Sequence, residues 1–280
     1  MPYIPPNTQS LKDNNISAQS RIALMGYPFT GKTWSALTWP NPIVCNFDNK
    51  FGAHLGRDIL IVPFHDPAFV DSLAKRQVPA HPPNVRDAFK VWLDNQAPKL
   101  ERDQTLIIDS WTMLNTAQEL QTSKEVFLTS QGKVDDRAPW RVKLDYFKDI
   151  CNRLRTLTCD VIVTFHEQDD RFKTGTQAGE VNGKVRPLMS GQFKDQLMGH
   201  FTDFFRQHCI DKAPKWEDQS IRNQKGKDWI KDLWESTPAN IPTIYAWQTY
   251  SDDIADCGST LNNPPPFIPV NYSSFKQYKI

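Results

Sequence analysis

No apolar run in the 280-residue chain approaches the roughly 20 residues that a membrane helix needs, so nothing in it reads as a membrane span. The N-terminus, MPYIPPNTQSLKDNNISAQS, has no basic-then-apolar secretory pattern, and the expected site is the cytoplasm. Five cysteines (Cys45, Cys151, Cys159, Cys209 and Cys257) are odd in number and form no CxxC pair, which argues against a disulfide frame or a zinc site. His200, His208 and Cys209 lie near one another but have no fourth ligand at the usual spacing, and they read as packing residues. Neither sign of charge dominates. With a net charge of +1, any nucleic-acid contact must come from local clusters, not from a basic surface overall. There is no internal repeat.

What is present is an alternation. Short runs rich in Ile, Val and Leu occur at 21–25, 42–47, 59–64, 105–109 and 160–165, a length suited to buried strands. Helical patterns separate most of them. Trp140, Leu144, Phe147, Cys151 and Leu154 make one apolar stripe on a helix expected over 139–157. Strands alternating with helices predict an α/β fold with a mostly parallel central sheet flanked by helices. Further strands are expected at 202–208 and 244–250. The expected organisation is a flexible arm over 1–20, one core over 21–262 with a polar insertion near 211–240, and a proline-rich tail over 263–280. In that tail, NNPPPFIPVNYSSFKQYKI, three consecutive prolines exclude helix and favour an extended course.

The stretch GYPFTGKT, residues 26–33, follows the first strand and opens a helix. It fits G-x-x-x-x-G-K-[ST] at Gly26, Gly31, Lys32 and Thr33. A glycine-bearing loop lets backbone amides point at phosphate oxygens while the helix offers its positive end. The expected cradle is Gly26, Tyr27, Pro28, Phe29, Thr30, Gly31, Lys32, Thr33 and Trp34, with Lys32 reaching the phosphates and Thr33 a magnesium ion. The helix is expected to run through Trp34, Leu37 and Thr38 until Pro40 stops it. In TLIIDSW, Asp109 ends an apolar strand, where an acid is costly unless it faces a cation, and with the P-loop upstream it is the expected metal-holding carboxylate; the alternative is that Asp109 or Ser110 caps the next helix. Asp109 is followed by Ser110 instead of Glu, so the catalytic base must come from elsewhere. The candidates are Asp48, at the end of the second strand, and Glu167, with His166 placed to sense the γ-phosphate.

The order of P-loop, acid-ended second strand, IIDSW and VIVTFHEQ resembles RecA-like P-loop ATPases, and most closely the phage-encoded single-strand-annealing recombination ATPases with a reduced RecA core. The resemblance covers about residues 20–210. It implies ATP and Mg²⁺ as ligands, a sheet with the His166 strand between the P-loop strand and the Asp109 strand, and ATP bound near a subunit boundary. It also implies a homo-oligomer, ring or filament, working on single-stranded DNA with single-strand-binding protein, in the host cytoplasm if the chain is phage-encoded. Two loops, 123–140 and 169–189, are where it places DNA contacts. The first carries Lys124, Phe127, Lys133, Arg137 and Trp140, and the second Arg171, Phe172, Lys173, Lys184 and Arg186. Cations interleaved with aromatics suit backbone tracking and base stacking, although acids in the same loops suit a solvated surface as well. A third cluster, from Lys212 to Lys231, reads equally as a contact or as an exposed insertion. Residues 251–263 contain no Lys or Arg, which leaves a late cation acting on a neighbour's nucleotide unassigned. Other readings are a P-loop kinase or packaging motor, and a nucleotide-gated binding module with negligible turnover.

Overall fold

The computed structural model describes residues 19–48, 56, 59–64, 85–123, 125–169, 184–189, 193–211, 227–238, 240–252 and 255–279. At its centre is β1 (Arg21–Gly26), buried along its whole length. It is flanked in parallel by β5 (Asp160–Asp169) and β7 (Asp203–Asp211). Beyond β5 lie β4 (Thr105–Asp109), β2 (Pro42–Asn46) and β3 (Leu60–Pro63), all parallel. On the far side of β7 the sheet turns antiparallel through β8 (Thr243–Gln248) and β9 (Phe267–Pro269). The path is β3-β2-β4-β5-β1-β7-β8-β9, with the short β6 (Val185–Pro187) paired to the end of β5. The fold is thus the expected α/β one, a mostly parallel central sheet flanked by helices, with the His166 strand between the P-loop strand and the Asp109 strand.

Side-chain alternation along the strands divides the core in two. On one face Ala23, Met25, Val161, Val163 and Phe165 pack under α2 (Val85–Asn95), α3 (Trp111–Thr122) and α4 (Ala138–Thr156), around the rings of Phe89, Trp111 and Phe147. On the other, Ile22, Leu24, Ile107 and Ile162 meet Ala36, Trp39, Phe205, Trp247 and Phe275. With both faces covered, the central strands contain few polar residues, which is why they read as continuous apolar runs.

Two elements differ from expectation. The helix after the P-loop, α1 (Lys32–Ala36), stops before Thr38, whose hydroxyl bonds the carbonyl of Ser35 and closes the helix as a turn. The extended tail expected over 263–280 instead supplies β9 and a terminal helix (Tyr272–Tyr278). The prolines only delay that helix. Asn271 caps it by accepting from the Ser274 amide at 2.8 Å, and Phe275 anchors it on Trp39 with ring centroids 4.8 Å apart. Of the polar insertion, residues 212–226 lie outside the described residues, and a helix spans Lys227–Ser236.

The start of β1 is tied down by Arg21. Its buried guanidinium donates to the carbonyls of Leu154 (2.8 Å), Leu157 (2.5 Å), Cys159 (2.8 Å) and Ser20 (3.0 Å), so it gathers the end of α4 and the start of β5. Replacing it strands buried carbonyls without donors. Arg21→Met is expected to cost about 3 kcal/mol of unfolding free energy, measured by denaturant titration.

His208, half-buried on β7, faces Gln248, and desolvation together with the positive charge of Arg206 pushes its pKa down to about 3. Gln248 spends its amide donors on Tyr250 and Asp252, so its oxygen faces the ring and His208 Nε2 carries the proton. Below its ordinary pKa the unfolded chain takes up a proton that the folded chain refuses. Stability from this group is therefore complete above that value and falls with pH toward the folded value. Between about pH 7 and about pH 5 the expected loss is about 2 kcal/mol, and His208→Asn should flatten that part of the stability profile.

Candidate functional site

Because β1, β5, β4 and β2 are parallel, their carboxyl ends meet along one edge, the usual position of a ligand site in such sheets. Register places Gly26 opposite His166 and Asn46 opposite Asp109. Between these ends lies a cavity of about 500 Å³. The loop side of its lining is Phe29, Gly31, Lys32, Thr33 and Trp34; the strand side is Asp48, Asp109, Ser110, Thr164 and His166.

The loop leaves β1 at Gly26 and enters α1 through Gly31, whose φ of 80° is in the left-handed region. Lys32 is buried and turns its ammonium back onto the loop, donating to the carbonyls of Gly26 (2.8 Å) and Tyr27 (2.6 Å). Thr33 donates its hydroxyl to Asp109 Oδ2 at 2.6 Å, and Thr164 donates to Asp109 Oδ1 at 2.5 Å. A buried carboxylate thus faces the hydroxyl of the P-loop threonine across the cavity floor. An oxygen donor set of this kind suits a hard divalent cation, and a lysine ammonium with backbone amides beside it suits a phosphate chain. The residues present therefore fit Mg²⁺ and a nucleoside triphosphate.

The two neighbouring residues divide at this point. Ser110 caps α3, its side chain accepting from the Met113 amide, while Asp109 turns into the cavity. The Asp109–Ser110 peptide is cis. Asp48 and His166 reach the cavity, and the His166 amide donates to Thr112 Oγ1 at 3.0 Å. Glu167 does not line it. Successive residues on a strand point to opposite faces, so Glu167 turns toward β7. There Arg206 holds it in a buried two-pronged ion pair, with both nitrogen–oxygen distances 2.9 Å. Of the two expected bases, only Asp48 is placed beside the cradle.

Around the mouth, Phe29 is 93% exposed at a φ of 65° and Trp34 is 48% exposed. The loop over 125–137 carries an antiparallel bridge, Leu128 to Val134, and exposes Lys133 and Arg137; Phe127 is half-buried, and Trp140, in the first turn of α4, is exposed. Lys184 pairs with Asp256, and Arg186 sits on β6. Lys124, Arg171, Phe172 and Lys173 lie outside the described residues. Thr164 and Gln207 went unread in the sequence. Each is a polar residue in a run that otherwise reads as plain strand, and spacing offers no signal for either.

Residues 18–221 match the family described as AAA domain. No curated protein matches the chain. Among solved structures, a crystal structure of the RadB recombinase is similar over 68% of this chain and 75% of that one, at 10% identity and a TM-score of 0.34, a likeness too loose to carry an argument.

The close approach at Gly26 is testable. A Cβ there would stand 2.9 Å from the backbone oxygen of Gln207 and 2.9 Å from Thr30 Oγ1, and the backbone of a central strand cannot retreat. Gly26→Ala is expected to lose roughly 1–3 kcal/mol in denaturant titration and to weaken binding of magnesium-ATP in calorimetry.

Proposed function

The chain belongs to the AAA-domain family, and we propose that it binds ATP with Mg²⁺ in the Lys32–Asp109 cradle and hydrolyses it while acting on single-stranded DNA in phage-type recombination or annealing. The observation that carries the nucleotide part is the meeting of Lys32, Thr33 and Asp109 at one sheet edge, from segments 76 residues apart. Lys32 exchanges the carbonyls of Gly26 and Tyr27 for phosphate oxygens. The Thr33 hydroxyl and the Asp109 carboxylate hold the cation, and Thr164 keeps that carboxylate oriented. When bound, Mg²⁺ supplies charge neutralisation at the phosphates. Asp48 orients the attacking water, and His166 senses the terminal phosphate from the neighbouring strand.

The DNA part is supported by the exposed Lys133, Arg137 and Trp140 beyond α3 and by the continuation of the His166 strand into the β5–β6 pair. Homo-oligomers and single-strand-binding protein are the partners this reading brings. A second reading, a nucleotide-gated binding module with little turnover, is favoured by one specific observation. The residue after Asp109 is a helix cap and not an acid, so Asp48 is the one carboxylate beside Asp109 among the described lining residues.

ATP turnover titrated with single- and double-stranded DNA separates these. The expected result is turnover raised by single strands, DNA binding that weakens steeply with salt, and loss of both nucleotide binding and turnover in Lys32→Ala. Turnover indifferent to DNA, with no salt-sensitive binding, would sink the recombination assignment. ATP-dependent DNA binding with no turnover, unchanged by Asp48→Ala, would establish the gated module.

A further inference from the structure

We infer that Gln207 is a positioning residue for the phosphate loop, an inference that rests on the nucleotide reading of the cradle. Gln207 follows the β7 residue paired with Met25, so it stands beside the point where the chain leaves β1 for the loop. Its side chain is almost fully buried, yet both the nitrogen and the oxygen of its amide are hydrogen-bonded. Nε2 donates to the carbonyl of Thr30 at 2.5 Å, and Oε1 accepts from Trp247 Nε1 at 3.0 Å. The Ser35 hydroxyl lies 2.7 Å from Oε1 and 2.8 Å from the Lys32 carbonyl, its single proton shared between them. The indole is a donor only. It therefore fixes the amide oxygen on its own side and the NH₂ group on the loop carbonyl.

Trp247 is in turn locked, fully buried and stacked on Phe205 with ring planes 7° apart. Beside it, the Tyr245 ring lies 3.3 Å from where a Cβ on Gly31 would stand. The antiparallel wing β7–β8 is thus a seat under Thr30 and Gly31. At the tip of the loop, by contrast, the Phe29 side chain is 93% exposed. A hydrocarbon side chain would fill the same space without the desolvation cost of a buried amide, which makes sense only if the amide's direction is needed. The direction it imposes is that of the Thr30 carbonyl, and through it the curvature with which the loop meets phosphate.

The test measures binding of magnesium-ATP and of magnesium tripolyphosphate by calorimetry on the full chain, with thermal unfolding run alongside. Gln207→Glu keeps the acceptor for Trp247 but, when ionised, has no donor for Thr30; when protonated, its O–H restores that donor. Gln207→Met removes both without adding charge. Above the pKa of the introduced carboxyl, both variants are expected to bind both probes about tenfold more weakly than wild type. As pH falls through that pKa, Gln207→Glu should regain affinity relative to wild type, while Gln207→Met should not. Variants that are folded and bind both probes within about twofold of wild type overturn the inference. So does a deficit in Gln207→Glu that stays constant with pH. If Gln207→Glu does not fold, Gln207→Met alone decides by the same criterion. A wild-type chain that binds neither probe overturns the nucleotide reading instead, so the two failures are distinguishable.

Discussion

One buried carboxylate holds the functional edge of this protein together. Asp109 ends a fully buried strand, and an acid there is tolerable only because its two oxygens are each met by a hydroxyl, from Thr33 on one side and Thr164 on the other. Those three residues come from the P-loop helix and from two neighbouring strands. Their convergence fixes the floor of the cavity before any ligand enters, and it does so with the groups that a divalent cation would take up. Parallel pairing makes the convergence possible, because it brings every strand's carboxyl end to the same edge.

The loop above that floor is held from the other direction. Lys32 folds back on two loop carbonyls, while Gln207 reaches up from β7 to a third. The antiparallel half of the sheet is therefore more than an extension of the core. Trp247 stacks on Phe205 and orients Gln207, and the terminal helix packs Phe275 against Phe205 and Trp39 beneath the same face. The last residues of the chain thus brace the region where the P-loop helix ends, which is why a tail that reads as extended is built into the structure. Its capping asparagine and Phe275 are ordinary signals, but three prolines upstream outweigh them in a linear reading.

Much of the fold was legible because buried parallel strands demand apolar runs and tolerate almost nothing else. The strands at 21–26, 42–46, 105–109 and 160–169 and the helix over 138–156 stand close to where periodicity puts them. The loop was legible for a different reason: Gly26, Gly31, Lys32 and Thr33 set its path through backbone shape and local reach, so its form is written in consecutive residues. Glu167 illustrates the limit. It is one residue from His166, yet a strand turns neighbours to opposite faces, and Arg206, 39 residues on, claims it.

Local chemistry in the chain was enough to specify a phosphate loop between a strand and a helix, an acid at the end of a second buried strand, and a sheet covered on both sides. Folding alone settled which polar groups face one another, Thr164 on Asp109, Arg206 on Glu167 and Gln207 beneath Thr30, and brought Asp48 and His166 to one cavity. Each of those pairs joins segments distant in sequence, and whether they meet depends on strand order and register, which no run of neighbouring residues encodes.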